Sequence, residues 1–248
     1  MPVVLPSLQE QEKIASIIIW WDKAIDKTKQ LLAFKIELKK GLTQQLLTGN
    51  RRFPESKKQD WSEYHLGTLF SERKEINRTD LPLLAITSDR GVIPRDEVDR
   101  KDASSENKSK YKRIAPGDIG YNTMRMWQGV SALSSLEGIV SPAYTICTPK
   151  KHIDALFASY LFKYPPVVNL FYRYSQGLVS DTLSLKFPNF SEIKVTIPQL
   201  DEQKKIASVL DTCDREISLL KAQAEALKKQ KKGLMQKLLT GQIRVKGD

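Results

Sequence analysis

The sequence predicts an α+β protein, built from one strand-rich mixed α/β domain and two long helices that form a coiled-coil-like spacer. Three observations lead there. A stretch near the start recurs near the end without a gap. Each copy carries an apolar stripe with helical spacing. The segment between the copies is cut by dense turn signals into short, strand-like runs.

The repeat comes first because repeats govern everything read after them. "PSLQEQEKIASI" at 6–17 faces "PQLDEQKKIASV" at 198–209, and "KKGLTQQLLTG" at 39–49 faces "KKGLMQKLLTG" at 231–241. Between them Asp22 faces Asp214 and Ile25 faces Ile217, always 192 positions apart. The first copy offers a stripe of Ile14, Ile17, Trp21, Ile25, Thr28, Leu31, Leu38, Leu42 and Leu46. The second offers Leu210, Cys213, Ile217, Leu220, Ala224, Leu227, Leu234 and Leu238, interrupted by Lys231. Steps of three and four put each set on one helix face. Pro6 and Pro198 stop the helices extending backward. Gly49 and Gly241 stand where a left-handed residue ends a helix. Gly41 and Gly233 fall inside the pattern, where glycine costs about 1 kcal/mol against alanine; their recurrence predicts close helix contact or a bend. A helix of this length runs about 60 Å and needs a partner for its stripe. The other copy is the expected partner, in an orientation the stripes do not choose. Packing of each helix on the globular body, or between chains, stays open at this level.

The expected boundaries are 1–53 for the first helix copy, 54–197 for the middle domain and 198–248 for the second copy. Within the middle, "LPLLAITSDRGVIP" reads as strand, turn, strand, and "YKRIAPGDIGYNTMRMWQGVSAL" as turn, strand, exposed loop, strand. Pro116, Gly117 and Asp118 supply turn chemistry. "EGIVSPAYTICTP" is an apolar alternating run, "HIDALFASYLFKY" a short helix ended by Pro165 and Pro166, and "KFPNFSEIKVTIP" a return to strand.

Charge points to a partner class. Lys and Arg total 40 against 29 Asp and Glu, a formal net charge of +11. An anionic partner, most plausibly nucleic acid, fits. The excess is +4 over 10–53, +3 over 54–197 and +4 over 198–248, so the middle domain is no more basic per residue than the helices and a footprint must come from local arrangement. The two cysteines, Cys147 and Cys213, suggest no disulfide framework, and a reducing cytoplasm is expected. "IASIIIWWDKAI" is too short and too charged to span a membrane.

Several chemistries lapse. No glycine-rich dinucleotide or P-loop motif occurs. His65 and His152 are the only histidines, and neither has zinc-ligand company. Tyr164-Pro165-Pro166-Val167 lacks the leading amide or carboxylate of an adenine-methylating loop. Asp181 with Glu192 and Lys194 matches the carboxylate, carboxylate, lysine set of a Mg²⁺-dependent nuclease. The plainer account is a strand with Glu192 and Lys194 on one side and Ile193 and Val195 on the other. What remains is a recognition surface. "NTMRMWQG" at 122–129 presents Arg125, Trp127 and Gln128; "FYRYSQG" at 171–177 adds Tyr172, Arg173, Tyr174, Ser175 and Gln176. Arginine pairs bidentately with guanine and glutamine with adenine, while Ser and Tyr suit phosphates. Half-buried core aromatics are the bland alternative. Lys228, Lys229, Lys232 and Lys237 form a basic helix face suited to protein docking or backbone contact.

These blocks resemble a family. Pro198-Gln199-Leu200-Asp201-Glu202-Gln203 followed by Lys205-Ile206-Ala207, with "LKKQKKGLMQKLLTG" closing the helix, is similar to the DNA specificity subunit of type I restriction-modification enzymes. "DWSEYHLGTLF" at 60–70 resembles the opening of a target recognition domain. "APGDIGYNTMRMWQG", "GIVSPAYTI" and "SQGLVSDTLSLKFPNFSEIKVTIPQLDEQ" resemble its interior. The resemblance covers essentially the whole chain. It implies a non-catalytic subunit that reads half of a bipartite double-stranded DNA target and docks methyltransferase subunits, with a motor-nuclease subunit completing the complex. Adenosylmethionine, ATP and Mg²⁺ are then expected on those partner subunits, with no cofactor on this one. The order of parts departs from the family. A full subunit runs domain, helix, domain, helix; this chain runs helix, domain, helix, opening on Val3-Val4-Leu5-Pro6, which resembles the last strand of a further recognition domain. A truncated or genuinely short subunit fits this order, and a homodimer through exchanged helices would restore two domains. Two other classes remain as alternatives: a standalone Mg²⁺-dependent nuclease and a protein-only coiled-coil scaffold.

Overall fold

The computed structural model describes residues 5–88, 90–98, 105–179 and 182–245. In chain order the elements are α1 (Leu8–Leu47), β1 (Ser62–His65), α2 (Leu66–Leu69), β2 (Phe70–Glu72), β3 (Leu84–Ile86), β4 (Val92–Pro94), β5 (Lys112–Ile114), β6 (Ile119–Asn122), β7 (Ser131–Leu133), β8 (Gly138–Val140), β9 (Tyr144–Pro149), α3 (Ala155–Leu161), α4 (Pro165–Tyr174), α5 (Phe187–Ser191), β10 (Lys194–Ile197) and α6 (Leu200–Leu239). They divide into two compact units, Met1–Leu42 with Leu210–Asp248, and Thr43–Val209.

The first unit is a helix pair. Both long helices form as the stripes predict, each 40 residues long. Gly49 and Gly241 follow them with φ of 74° and 73°, the left-handed conformation that ends a helix most easily at glycine. The copies pair within the chain and run antiparallel. Glu10 pairs with Arg244, Asp22 with Lys231, Lys35 with Glu216 and Lys39 with Asp214, so low numbers on one helix meet high numbers on the other. The pairing explains the polar breaks in the stripes. Lys35 and Lys39 take the seam positions after Leu32, and their charges end on carboxylates across the seam. Leu31 and Leu38, expected in the stripe, are instead 46% and 40% exposed. Lys231 fills its break the same way. The 192-residue shift carries Lys39–Asp214 onto Lys231–Asp22, so the unit holds an approximate internal dyad. Gly41 and Gly233 are not contact sites: a Cβ built on either meets nothing within 4 Å. Val3 and Val4 lie outside the described residues, and Leu5 and Pro6 precede α1 without joining a strand.

The second unit is the strand-rich body. Its main sheet is antiparallel in the order β2-β9-β6-β7, with smaller pairs β1-β10, β3-β4 and β5-β8. Register fixes two cores. Tyr121, Phe70, Phe157, Phe162, Phe171 and Phe190 are almost fully buried, with Phe162 edge-on to Phe171 at 5.4 Å and to Phe190 at 5.6 Å. Edge-to-face geometry suits the ring quadrupoles. Leu84, Ile86, Val92, Ile114, Ala132, Val140 and Ile146 form an aliphatic cluster under the β3-β4 hairpin. Cys147 is fully buried here, and burial pushes its thiol well up.

Three expectations change in the body. "EGIVSPAYTICTP" is two strands, β8 and β9, because Pro142 breaks the run. Pro165 and Pro166 end one helix and begin another: proline is tolerated in a first helical turn, where its N–H is not needed. "KFPNFSEIKVTIP" opens as the short helix α5 before β10.

The chain enters and leaves the body at one joint. Arg52 donates to both carboxylate oxygens of Glu202, at 3.1 and 2.7 Å, and to the carbonyls of Ser56 and Gln59. The Trp61 indole N–H reaches the same carboxylate at 3.3 Å. Fully buried Gln203 donates to the carbonyls of His152 and Pro198 and accepts from the Asp154 amide. Glu202 and Gln203, at the start of the second copy, therefore form a structural clasp.

Candidate nucleic-acid interface

The turn after β6 supplies the first group of candidate residues. Its backbone is over-determined. The Arg125 amide donates to Asn122 O, the Gln128 amide to Arg125 O, and the Gly129 amide to Met126 O at 2.8 Å. Asn122 Oδ1 accepts from the Met124 amide. Met126 is fully buried and anchors the turn from inside. Gly129 has φ of 76°, and a Cβ there would sit 3.0 Å from Val168 on α4. The turn thus packs directly on the helix that carries the second group.

That helix ends where the second group stands. Tyr172, Arg173 and Tyr174 form the last turn of α4, Ser175 is its C-cap, and Gln176 pairs with Ser184 through two backbone hydrogen bonds. The two groups meet: the Trp127 and Tyr172 rings lie 6.2 Å apart, tilted by 60°. Arg125, Gln128, Arg173 and Gln176 are exposed. Among the described residues none of these four side chains has a hydrogen bond or ion pair. No internal bond has to break before their donors meet an incoming partner.

Two candidates are more constrained than composition suggests. The Trp127 indole N–H already donates to Met124 O at 3.0 Å, which leaves its ring face to offer. The Ser175 hydroxyl donates to Phe171 O at 2.7 Å, capping α4. Sequence reading passed over Leu178 and Val179. They are exposed, Leu178 completely, and stand just beyond Gln176. An apolar pair directly after a glycine in a turn-rich stretch was the available signal.

The nuclease pattern does not assemble among the described residues. Asp181 lies outside them. Glu192 and Lys194 are exposed while Ile193 and Val195 are buried, the alternation of a half-buried strand. Lys194 is held by Glu63 across β1 at 2.9 Å, which raises its ammonium's pKa. No group of three or more metal-ligating side chains occurs among the described residues. No helix there is long and apolar enough to cross a membrane.

The four α6 lysines belong to the helix pair, not the body. Lys228, Lys229, Lys232 and Lys237 are all exposed. Lys228 and Lys232 border a shallow cleft of about 250 Å³ with Lys29, Lys231, Asp22, Ile25 and Met235. Lys229 and Lys237 stand outside it. Lys228 is paired with Glu225 along its own helix, so the face is less positive than its lysines imply.

A strand-rich body joined to a long repeated helix defines a class: an α+β module carried with a pair of long helices. The family model of the type I restriction modification DNA specificity domain matches residues 61–229, and the chain belongs to that family. Two curated relatives come from Methanocaldococcus jannaschii. The chain is 25% identical over 99% of its length to the putative type I restriction enzyme MjaX specificity subunit, and 26% identical over 98% to the MjaVIII specificity subunit. It spans 60% and 62% of their lengths. Among solved structures, the type I restriction-modification S subunit from M. genitalium matches with a TM-score of 0.59 at 16% identity, covering 94% of this chain and 61% of that one. The HsdS subunit from Thermoanaerobacter tengcongensis matches at 0.52 and 17%, covering 96% and 60%. At these identities the likeness speaks for the fold.

Proposed function

We propose that the chain is the sequence-reading part of a type I restriction-modification complex. Its body reads half of a bipartite double-stranded DNA target, and its helix pair docks the methyltransferase subunits. The observation that carries the reading is the edge where Arg125 and Gln128 stand free beside Trp127, Tyr172 and Arg173. A fixed turn that offers an unpaired guanidinium and an unpaired amide suits bidentate contact with guanine and adenine edges. Arg173 and the tyrosine hydroxyls suit phosphates, which set position. Catalysis falls to partners in this reading. Adenosylmethionine belongs to the methyltransferase, and ATP and Mg²⁺ to a motor-nuclease subunit. The test is methylation-site mapping of the complex reconstituted with its methyltransferase. A defined half-site that changes when Arg125 and Gln128 are exchanged supports the reading; methylation blind to both exchanges removes it.

A further inference from the structure

The chain beyond α4 presents an apolar tip. Leu178 is completely exposed and Val179 is 59% exposed. Scattered surface aliphatics are ordinary, but these two are held outward by the backbone behind them. Gln176 and Ser184 exchange backbone hydrogen bonds of 2.9 and 2.8 Å across the base of the loop. Gly177 follows with φ of 150°, and a Cβ there would sit 2.6 Å from Thr182 O, so glycine lets the two sides close. Thr182 clamps Val179 from the far side. Its hydroxyl accepts from the Val179 amide at 3.3 Å and donates to the Val179 carbonyl at 2.9 Å, and its amide donates to the same carbonyl. Leu183 and Leu185 then turn inward as a buried root. The Leu185 amide donates to Thr123 O at 2.9 Å, which ties the tip to the turn that bears Arg125 and Gln128. Tip and turn therefore belong to one hydrogen-bonded edge.

We propose that Leu178, flanked by Val179, selects a thymine in the target by contact with its C5 methyl group. The inference rests on the proposed reading of DNA by this edge. Its warrant is chemical. In the major groove the base edges present hydrogen-bond donors and acceptors, with one apolar exception, the thymine methyl. An aliphatic side chain that shares a groove with a guanidinium and an amide has that one partner on the bases. Against any other base edge Leu178 would strip water from a polar atom and return no hydrogen bond. Selection therefore has an attractive part at thymine and a repulsive part elsewhere. An unstacking wedge is the other use of an exposed leucine on DNA. Wedges of that kind belong to minor-groove binders, whereas Arg125 and Gln128 suit the major groove. The bonds that hold the tip also mean that little ordering has to be spent when it meets DNA.

Competition binding by the full chain with its methyltransferase tests this, on duplexes that carry the mapped half-site with deoxyuridine in place of each thymidine in turn. At one pair, loss of the methyl should weaken binding about fourfold, the worth of burying one such carbon. 5-Bromodeoxyuridine, whose bromine fills the place of the methyl, should restore binding there. Leu178→Ala should bind the thymidine and deoxyuridine duplexes equally, with an unchanged melting temperature because the side chain is exposed. Arg125→Ala should keep the deoxyuridine effect while changing preference at a different pair. Deoxyuridine tolerated at every position overturns the proposal, as does a deoxyuridine effect that persists in Leu178→Ala. A Leu178→Ala chain that loses affinity equally for all duplexes indicates a wedge or a protein contact, and also overturns it. The proposed function fails separately. Preference that follows Arg125 and Gln128 without any methyl effect removes only the thymine contact. Preference blind to Arg125 and Gln128, with a methyl effect that depends on Leu178, removes their role and leaves the contact standing. Binding without sequence preference removes both.

Discussion

Arg125 and Gln128 are informative because no described residue bonds to their side chains. Replacing either by alanine should leave the melting temperature almost unchanged and alter base preference at one position, by about 1–3 kcal/mol, the worth of one bidentate pairing. Selection and sequencing of bound DNA, with the methyltransferase present, reads this directly. Ser175 makes the contrast. Its hydroxyl caps α4, so Ser175→Ala should lower stability and leave base preference alone. All three residues were legible in the sequence as polar groups in turn-rich runs. Their different roles were not, because the choice of hydroxyl partner depends on where the helix ends. That end was hidden while Pro165 and Pro166 were read only as a stop.

At the scale of elements, the helix pair makes two sharper predictions. Arg244 donates to both oxygens of Glu10 and holds its carboxyl below the usual value of about 4.5. A depressed folded-state value means that the pair's stabilisation is present above the unfolded-state value and is lost as pH falls through the folded one. Glu10→Gln should therefore reduce stability at neutral pH and flatten its decline below pH about 4.5, as followed by thermal unfolding across pH. Glycines supply the second. Gly233 lies in a helix with open space around it, so Gly233→Ala should stabilise by up to about 1 kcal/mol. Gly138 lies in β8, where a Cβ would come within 2.5 Å of Pro82 O and the Leu84 side chain; Gly138→Ala should cost about 1–3 kcal/mol. Denaturant midpoints separate the two. Length, ends and periodicity of both helices were legible because they are local. Their antiparallel sense was not, since Glu10–Arg244 and Lys39–Asp214 join residues far apart in sequence.

For the molecule as a whole, the lysines of α6 carry the test of assembly. Reversing the charge of Lys229 and Lys237, which stand outside the cleft, together with Lys232 should weaken co-migration with the purified methyltransferase if they dock it. If they neutralise phosphates instead, the salt slope of DNA affinity should fall by nearly one unit for each phosphate no longer neutralised. Size measurement and a salt titration distinguish these outcomes. The division into long helices and strand-rich body was readable from the repeat alone, because a 192-residue shift leaves everything between the copies as a separate object. Which candidate residues share one edge of the body was only partly readable. "NTMRMWQG" and "FYRYSQG" lie far apart in the chain, and only the packing of Gly129 on Val168 brings them together.

The buried anchor Met126 has an evolutionary consequence. It, the backbone bonds around it and the Trp127 indole bond to Met124 O hold the turn without any side-chain bond from Arg125 or Gln128. Positions 125 and 128 can therefore change identity while the fold stays under separate selection at 126 and 129. On the proposed reading, such a turn would be an exchangeable reading head, in which new targets arise by surface replacement without refolding. A substitution library over 122–129 should show it: broad tolerance for expression at 125 and 128, intolerance at 126 and 129, and target preference that varies with the first pair alone.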